Sequence, residues 1–433
     1  MKNVWKYALI ASLGGFLFGF ETAVISGAEQ IIQQLWQLDA FWHGLTVSIS
    51  LIGTILGALL AGGYAEKYGR KPVLALIALL YLFSAIGCGL SPIWSLFLLF
   101  RFLGGLAVGV SSVVGPVYIS EIAPAKDRGK LTGLFQIMIV SGIFVAYLTN
   151  FLFAGLGDNA WRYMLGIMAL PAALFYALLR LLPESPRWLA LHRGSEAAHV
   201  VFARLGQASA MADSADSSAT STPQQATSLW QKRYSKPIVF AVLLAFFNQM
   251  TGINAILYYA PRIFEMAGFD AQLAYLQPIF IGGTNVLFTL LGMSIIDRVG
   301  RKKLLLLGAV GMFVFLLLTA FGLKGEHSSF LLFYIIGFIG CFALSQGAVI
   351  WVFLAEIFPN EVRAKGSSLG SSTHWVFAAI ISWLFPVVVE GFEQGGFYIF
   401  LFYALMVVLS FVFILLLPET KGKDLESMKD ATG

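Results

Sequence analysis

Apolar runs of about 20 residues recur from one end of the chain to the other, and each is long enough to cross a bilayer as a helix. In lipid every backbone N–H and C=O must be satisfied within the protein, so runs of this length leave an all-helical bundle as the fold. Composition agrees: 58% of the 433 residues are hydrophobic and 12% are charged, against about 25% charged in a soluble chain. Twelve spans are predicted near 7–27, 44–65, 72–90, 93–119, 131–154, 163–182, 237–261, 274–296, 303–323, 329–356, 367–389 and 396–417. The same composition excludes a disordered chain. The net charge of +5 is scattered over loops with no basic face, which excludes a nucleic-acid binder. Cys88 and Cys341 both lie in apolar runs without metal-ligand spacing and read as small buried hydrophobes. No metal and no cofactor is expected.

Lys and Arg set the orientation. Of the 28, twenty-three fall in the segments that share a side with the N-terminus, and Arg162, Arg262 and Lys324 fall opposite. Both ends are therefore placed in the cytoplasm. The first span follows Lys2 and Lys6 as a signal peptide would, but Glu21 inside it and the missing small-residue cleavage site keep it attached. The absence of an Asn-x-Ser/Thr sequon fits a bacterial cell (inner) membrane, crossed many times.

The chain also repeats itself. Gly69-Arg70-Lys71 follows span 2 and Gly300-Arg301-Lys302 follows span 8. Glu121-Ile122-Ala123-Pro124 ends span 4 and Glu356-Ile357-Phe358-Pro359 ends span 10, while Pro183-Glu184-Ser185 and Pro418-Glu419-Thr420 end spans 6 and 12. Three pairs at a nearly constant offset make two six-helix halves, 1–183 and 237–418. Between them, 184–236 holds a short amphipathic helix near 194–205 and a Ser/Ala/Thr/Gln-rich flexible linker at about 207–228; 419–433 is a cytoplasmic tail. Duplicated bundles are the architecture of secondary transporters, which hold substrate between the halves near the midplane.

Ionisable groups inside spans are costly and therefore informative. Among carboxylates only Glu21 is read as lying well inside a span, about 21 Å from the cytoplasmic start of span 1. Arg101 enters from the other side and lies about 12 Å deep in span 4. At similar depth, the two are expected to pair, either as a static tie between helices or as a proton site at which Arg101 holds Glu21 ionised until the pair separates. Amides and aromatics form a second set: Gln136 in span 5, Asn248, Gln249, Asn254, Tyr258 and Tyr259 in span 7, Asn285 in span 8, Trp351 in span 10, and His374 and Trp375 in span 11. Each is either a helix–helix hydrogen bond or part of a polar cavity. Amides donate and accept together, which suits ligands rich in hydroxyls, and an indole face suits the C–H side of a pyranose. A third set is charged and cytoplasmic. Arg70 and its neighbours are expected to reach Glu121 and Glu184, and Arg298 and Arg301 to reach Glu356 and Glu419, as latches on an inner gate. Glu66, Arg128, Arg187 and Arg363 belong with them.

These residues resemble the sugar porter family of the major facilitator superfamily. The resemblance is carried by Gly14-Gly15-Phe16-Leu17-Phe18-Gly19-Phe20-Glu21, both Gly-Arg-Lys loops, Arg101 with Gly104-Gly105, and Pro116-Val117-Tyr118-Ile119-Ser120-Glu121. It is completed by the runs Pro183-Glu184-Ser185-Pro186-Arg187 and Pro418-Glu419-Thr420-Lys421-Gly422. It implies a major facilitator fold of twelve helices with short intracellular helices, and alternating access of a monosaccharide. Gln136, Gln249, Asn254, Asn285 and Trp351 match positions that bind the sugar. Phe18 and Trp375 match cavity-lining aromatics, and Tyr258 or Tyr259 the outer closing side. Glu21 stands where proton-coupled members carry Asp and facilitative members Asn, which implies proton symport. Asn248 in place of Gln, His374 in place of an amide, and apolar Ile143 tilt the expectation to a hexose over a pentose. Ala348 stands where Pro commonly follows Gly347, which implies a stiffer hinge. The expected partners are a monosaccharide, a proton and the bilayer, for a monomer that is not an enzyme. Uniport of the same sugar is the near alternative. A sugar sensor is the other-class alternative, expected to carry long extensions where 15 residues follow Pro418.

Overall fold

A computed structural model describes residues 2–206, 228–325, 329–359 and 361–421. The linker expected near 207–228 lies outside the described residues except for Ser228, as does the tail beyond Lys421. Among the described residues twelve helices are long and apolar enough to cross a membrane: Asn3–Leu35, Ala40–Tyr68, Arg70–Leu90, Trp94–Ile122, Arg128–Phe153, Gly157–Leu181, Lys232–Tyr258, Ala271–Val299, Arg301–Lys324, Leu331–Leu354, Lys365–Gly391 and Gly395–Leu416. They are called spans 1 to 12 below. Each overlaps one of the apolar runs read from the sequence over most of its length. Leu90, Leu307 and Leu416 are among many large apolar side chains left exposed, as a surface solvated by acyl chains requires.

Local chemistry sets the helix ends. Spans 2 and 3 are separated by Gly69 at φ 96°, and spans 8 and 9 by Gly300 at φ 98°. Only glycine takes that conformation without strain, so the repeated Gly-Arg-Lys motif is also a repeated backbone turn. Asp270 caps span 8 by accepting from the Leu273 amide at 2.9 Å. After span 6, Ser185 caps a short helix Pro186–His192. The amphipathic segment near 194–205 is the helix Ser195–Leu205, closed by left-handed Gly206.

Three spans are broken. Span 6 turns between the helices Ala160–Gly166 and Ala169–Leu178. In span 7 the helix Ser235–Met250 ends and a new one, Ile253–Tyr258, begins beyond Gly252, which is left-handed at φ 80° against the Tyr403 ring. In span 10, Leu331–Leu344 and Gln346–Glu356 meet at Ser345. No proline is present at the break in span 10, and the backbone turns three residues before Ala348.

The chain forms two compact units: Met1–Glu21, Ile52–Ile143 and Leu165–Ala226 make one, and Thr22–Leu51, Phe144–Met164 and Thr227–Gly433 the other. These units are cut differently from the two sequence halves. Residues 22–51 and 144–164 are tied to the C-terminal half by hydrogen bonds from Tyr147 to the Leu257 carbonyl and from Tyr275 to the Gly27 carbonyl, both 2.8 Å. In the first unit, spans 2 and 4 approach backbone to backbone at Gly57 and Gly109, the small-residue packing that lipid favours.

Candidate functional site

Within the first unit, Arg101 is fully buried and forms an ion pair with Glu21, itself 3% exposed. The depths read from the sequence placed them together, and they meet. The close fit depends on Gly104: a Cβ there would lie 2.7 Å from Glu21 Oε1 and 2.5 Å from Ser84 Oγ. A lone buried charge in lipid costs several kcal/mol or more, so each member holds the other in place. Phe18, one turn earlier, is buried, Gln136 is half-buried in span 5, and Ile143 is buried.

The second unit holds the amide cluster, with Gln249 at its hub. Its Nε2 donates to Asn248 Oδ1 at 3.0 Å and faces the His374 ring nitrogens at 3.0 and 3.2 Å. Its Oε1 accepts from Asn254 Nδ2 at 2.7 Å. Gln249 and Asn254 meet across the break at Gly252, and not through one continuous helical face. Asn248 donates to Gln346 Oε1 at 3.2 Å. Gln346 is fully buried at the start of the second half of span 10. Sequence reasoning passed over it, although a glutamine beside Ser345 and Gly347 inside an apolar run was a visible signal. Beside the amides, the Trp351 and His374 rings are 4.9 Å apart, and Trp375 lies edge-on to His374 at 4.9 Å. Trp351 is 37% exposed and Trp375 5%. Asn285 is buried and accepts from Thr289 at 3.4 Å. Tyr258 is buried, and Tyr259 stacks on Phe385 and donates to the Ser382 carbonyl.

The charged turns repeat almost atom for atom. Arg70 forks onto Glu121 (Nε to Oε2 3.0 Å, Nη2 to Oε1 2.8 Å), and Arg301 onto Glu356 (3.1 and 2.9 Å). Bidentate pairing of this kind is specific as well as strong. Glu184 and Glu419 do something other than expected. Glu184 accepts from the backbone amides of Arg70 and Lys71, and Glu419 from those of Arg301 and Lys302, at 3.0–3.1 Å. Carboxylates at these helix N-termini satisfy the first free amides and meet the positive end of the helix dipole. Glu66 pairs with Arg70 at 3.3 Å, and Trp188 donates to the Glu66 carbonyl. Arg128, Arg187, Arg298 and Arg363 make no ion pair among the described residues. Arg298 thus does not reach the expected carboxylates; its carbonyl accepts from Lys421 Nζ at 2.6 Å.

A fourth cluster, in the second unit, escaped sequence reasoning. Glu29 is 1% exposed and lies within the first helix, which continues to Leu35 beyond the apolar run ending at 27. Glu21 is thus not the only deeply placed carboxylate. Arg262 forks onto Glu29 (Nε to Oε1 3.1 Å, Nη2 to Oε2 2.9 Å) and reaches Glu390 at 2.9 Å. Burial opposes the Arg262 charge, yet Glu29 and Glu390 carry its pKa above the ordinary value.

Twelve membrane-length helices, a duplicated charged turn and polar groups buried inside the spans define a multi-pass membrane transporter. The family profile described as "Sugar (and other) transporter" matches residues 7–431, and the chain belongs to that family, the sugar porters of the major facilitator superfamily. It is 37% identical to a putative metabolite transport protein of Bacillus subtilis, over 99% of this chain and 94% of that one. It is 34% identical to the arabinose-proton symporter of the same organism, over 97% and 93%. The xylose transporter XylE of E. coli, in a partially occluded inward-open conformation, matches with a TM-score of 0.87 at 32% identity, covering 98% of this chain and 100% of that one. The protein is a transporter and not an enzyme.

Proposed function

We propose that the protein imports a monosaccharide across a bacterial cell membrane by alternating access, in symport with a proton. The sequence halves 1–183 and 237–418 are the moving bodies of a monomer whose ends are cytoplasmic. Glu21 is the proton carrier and Arg101 its counter-ion: while the two are paired Glu21 stays ionised, and when they part its carboxyl takes up a proton. Arg70–Glu121 and Arg301–Glu356 latch the inner ends of the helices.

The observation that supports sugar as substrate is the Gln249 cluster. Four amides and an imidazole are joined in one network beside two indoles, in a family of sugar transporters, with an arabinose-proton symporter and a xylose transporter among the relatives. Hydroxyls of a sugar replace bonds that the amides already make to one another, so little is lost on binding and orientation is gained. Trp351, the most exposed of the rings, offers a face to the C–H side of the sugar. Asn285 supplies a further amide, and Trp375, Tyr258 and Tyr259 the aromatic walls. His374 in place of an amide and apolar Ile143 favour a hexose over a pentose.

The test is counterflow in proteoliposomes loaded with unlabelled sugar and given labelled glucose, galactose, xylose or fructose. Exchange of a hexose, with KM raised about 10-fold or more by Gln249→Ala, is expected. No exchange of any of the four sugars, or exchange indifferent to Gln249→Ala, would contradict the reading.

A further inference from the structure

The proposed transport cycle leaves the cluster around Glu29 without a role. The carboxylate is enclosed, forked by Arg262, and its Oε2 lies 2.8 Å from His43 Nε2. His43 is fully buried, and neither ring nitrogen meets hydrogen-bond geometry among the described residues, so the Glu29 contact is one of distance alone. The other charged and titratable groups around the pair are identifiable. Glu390 accepts from Arg262 and from Gln33 Nε2 at 2.9 Å. Glu265 lies beside Gln30 and is half-buried; burial, then the Glu29 charge, pushes its pKa up. Tyr259 meets the His43 ring edge-on at 5.8 Å, and Tyr275 donates to the Gly27 carbonyl. Asp39, one turn before His43, is engaged with the Trp42 amide.

The charge count is unbalanced. Three carboxylates, Glu29, Glu390 and Glu265, face one guanidinium, so the cluster is negative while His43 is neutral. Enclosed charges that do not cancel are expensive, and an imidazole is the side chain that gains a proton nearest neutrality. A proton on His43 turns its contact with Glu29 into an ion pair.

We propose that Glu29 and His43 form a second proton-binding site, apart from Glu21, and that its occupation fastens together the end of span 1, the start of span 2, the segment after span 7 and the end of span 11. The ligand is a proton drawn from the side opposite the termini, the outside in the orientation proposed above. The fastening matters to transport only if the alternating-access reading holds; the site itself does not depend on it. The fastened state encloses His43 beside Glu29, whereas a parted state leaves it in water. A proton on His43 adds an ion pair with Glu29 that only the fastened state makes, so that state gains population as pH falls.

Spin labels at Gln37→Cys and Gln394→Cys, in a Cys88→Ala/Cys341→Ser background, read the separation of these segments in proteoliposomes. The ratio of short to long distances should rise about 10-fold between pH 8 and pH 6. His43→Gln and Glu29→Gln should each abolish that rise. Glu390→Gln, at a partly exposed carboxylate that is safe for folding, removes a negative charge and should move the midpoint to lower pH. A wild-type distribution indifferent to pH, variants that respond as the wild type does, or an unmoved Glu390→Gln midpoint would each overturn the proposal. Sugar counterflow in the same vesicles separates the two readings. Flux with pH-independent distances sinks the second proton site and leaves the transporter. Absent flux with pH-dependent distances does the reverse.

Discussion

Two carboxylates sit eight residues apart on the first helix, and the structure treats them in opposite ways. Glu21 is held in a dry setting by a single arginine, with Ser84 and the bare backbone of Gly104 beside it. Glu29 is held by Arg262 and His43, and the same arginine goes on to Glu390 and Gln33. A pair with one strong partner has two clean states, joined or separated, and suits a group that must gain and lose a proton in each cycle. A network with several partners resists the loss of any one contact and suits a fastening.

The largest effect should come from removing the cation on either side. Arg262→Ala leaves Glu29 enclosed without its guanidinium and should cost about 3–5 kcal/mol of stability, read as a lower Tm in detergent. Arg101→Ala should do the same at Glu21, unless the carboxyl takes up a proton instead. In that case the Tm falls little, and the Glu21 site has shown the very property a proton carrier needs.

Next comes Gly104→Ala. The added methyl meets the Glu21 carboxylate and Ser84, and overpacking of this kind costs about 1–3 kcal/mol. Proton-driven uptake should fall more than counterflow does. The equivalent insult at the Gln249 network, Asn254→Ala, should weaken sugar affinity about 10-fold, at about 1–2 kcal/mol for a hydrogen bond lost in a buried network, and leave the pH dependence of uptake unchanged.

Glu265 gives the smallest effect. Burial, and then Glu29, hold its pKa above the ordinary carboxylate value despite Gln30 and Arg262 pulling the other way. A carboxyl with a raised folded-state pKa favours the folded protein at pH values below its unfolded pKa, and that contribution is lost as pH rises through the folded one. Glu265→Gln should therefore raise Tm slightly near neutrality and flatten its fall as pH climbs out of the carboxylate range. A Tm lowered at pH 7 by this substitution would mean that the Glu29 network is not over-supplied with negative charge.

How much of this was legible beforehand follows from the physics of each feature. Apolar runs report every span, because lipid imposes one rule on all of them. They do not report helix ends: Glu29, Gln30, Gln33 and Gln34 end the apolar run of span 1 but not its helix, since these residues form helices well and several find polar partners in the protein. Depth arithmetic joined Glu21 to Arg101, which needed only two helices of opposite direction. The Glu29 cluster needed four segments far apart in sequence, and Arg262 was read as a loop charge. The breaks at Gly252 and Ser345 were hidden because neither carries a proline. In the charged turns, pairing by opposite sign found Arg70–Glu121 and Arg301–Glu356 but missed that Glu184 and Glu419 serve backbone amides, which sequence does not display.

Proton coupling through Glu21 is tested most directly by uphill uptake of a labelled hexose into proteoliposomes under an imposed pH gradient, wild type beside Glu21→Gln. Wild-type vesicles should concentrate the sugar and lose that ability when the gradient is collapsed, while Glu21→Gln vesicles exchange sugar yet never exceed equilibrium. Undiminished accumulation by Glu21→Gln, or wild-type uptake blind to the gradient, would contradict the assignment.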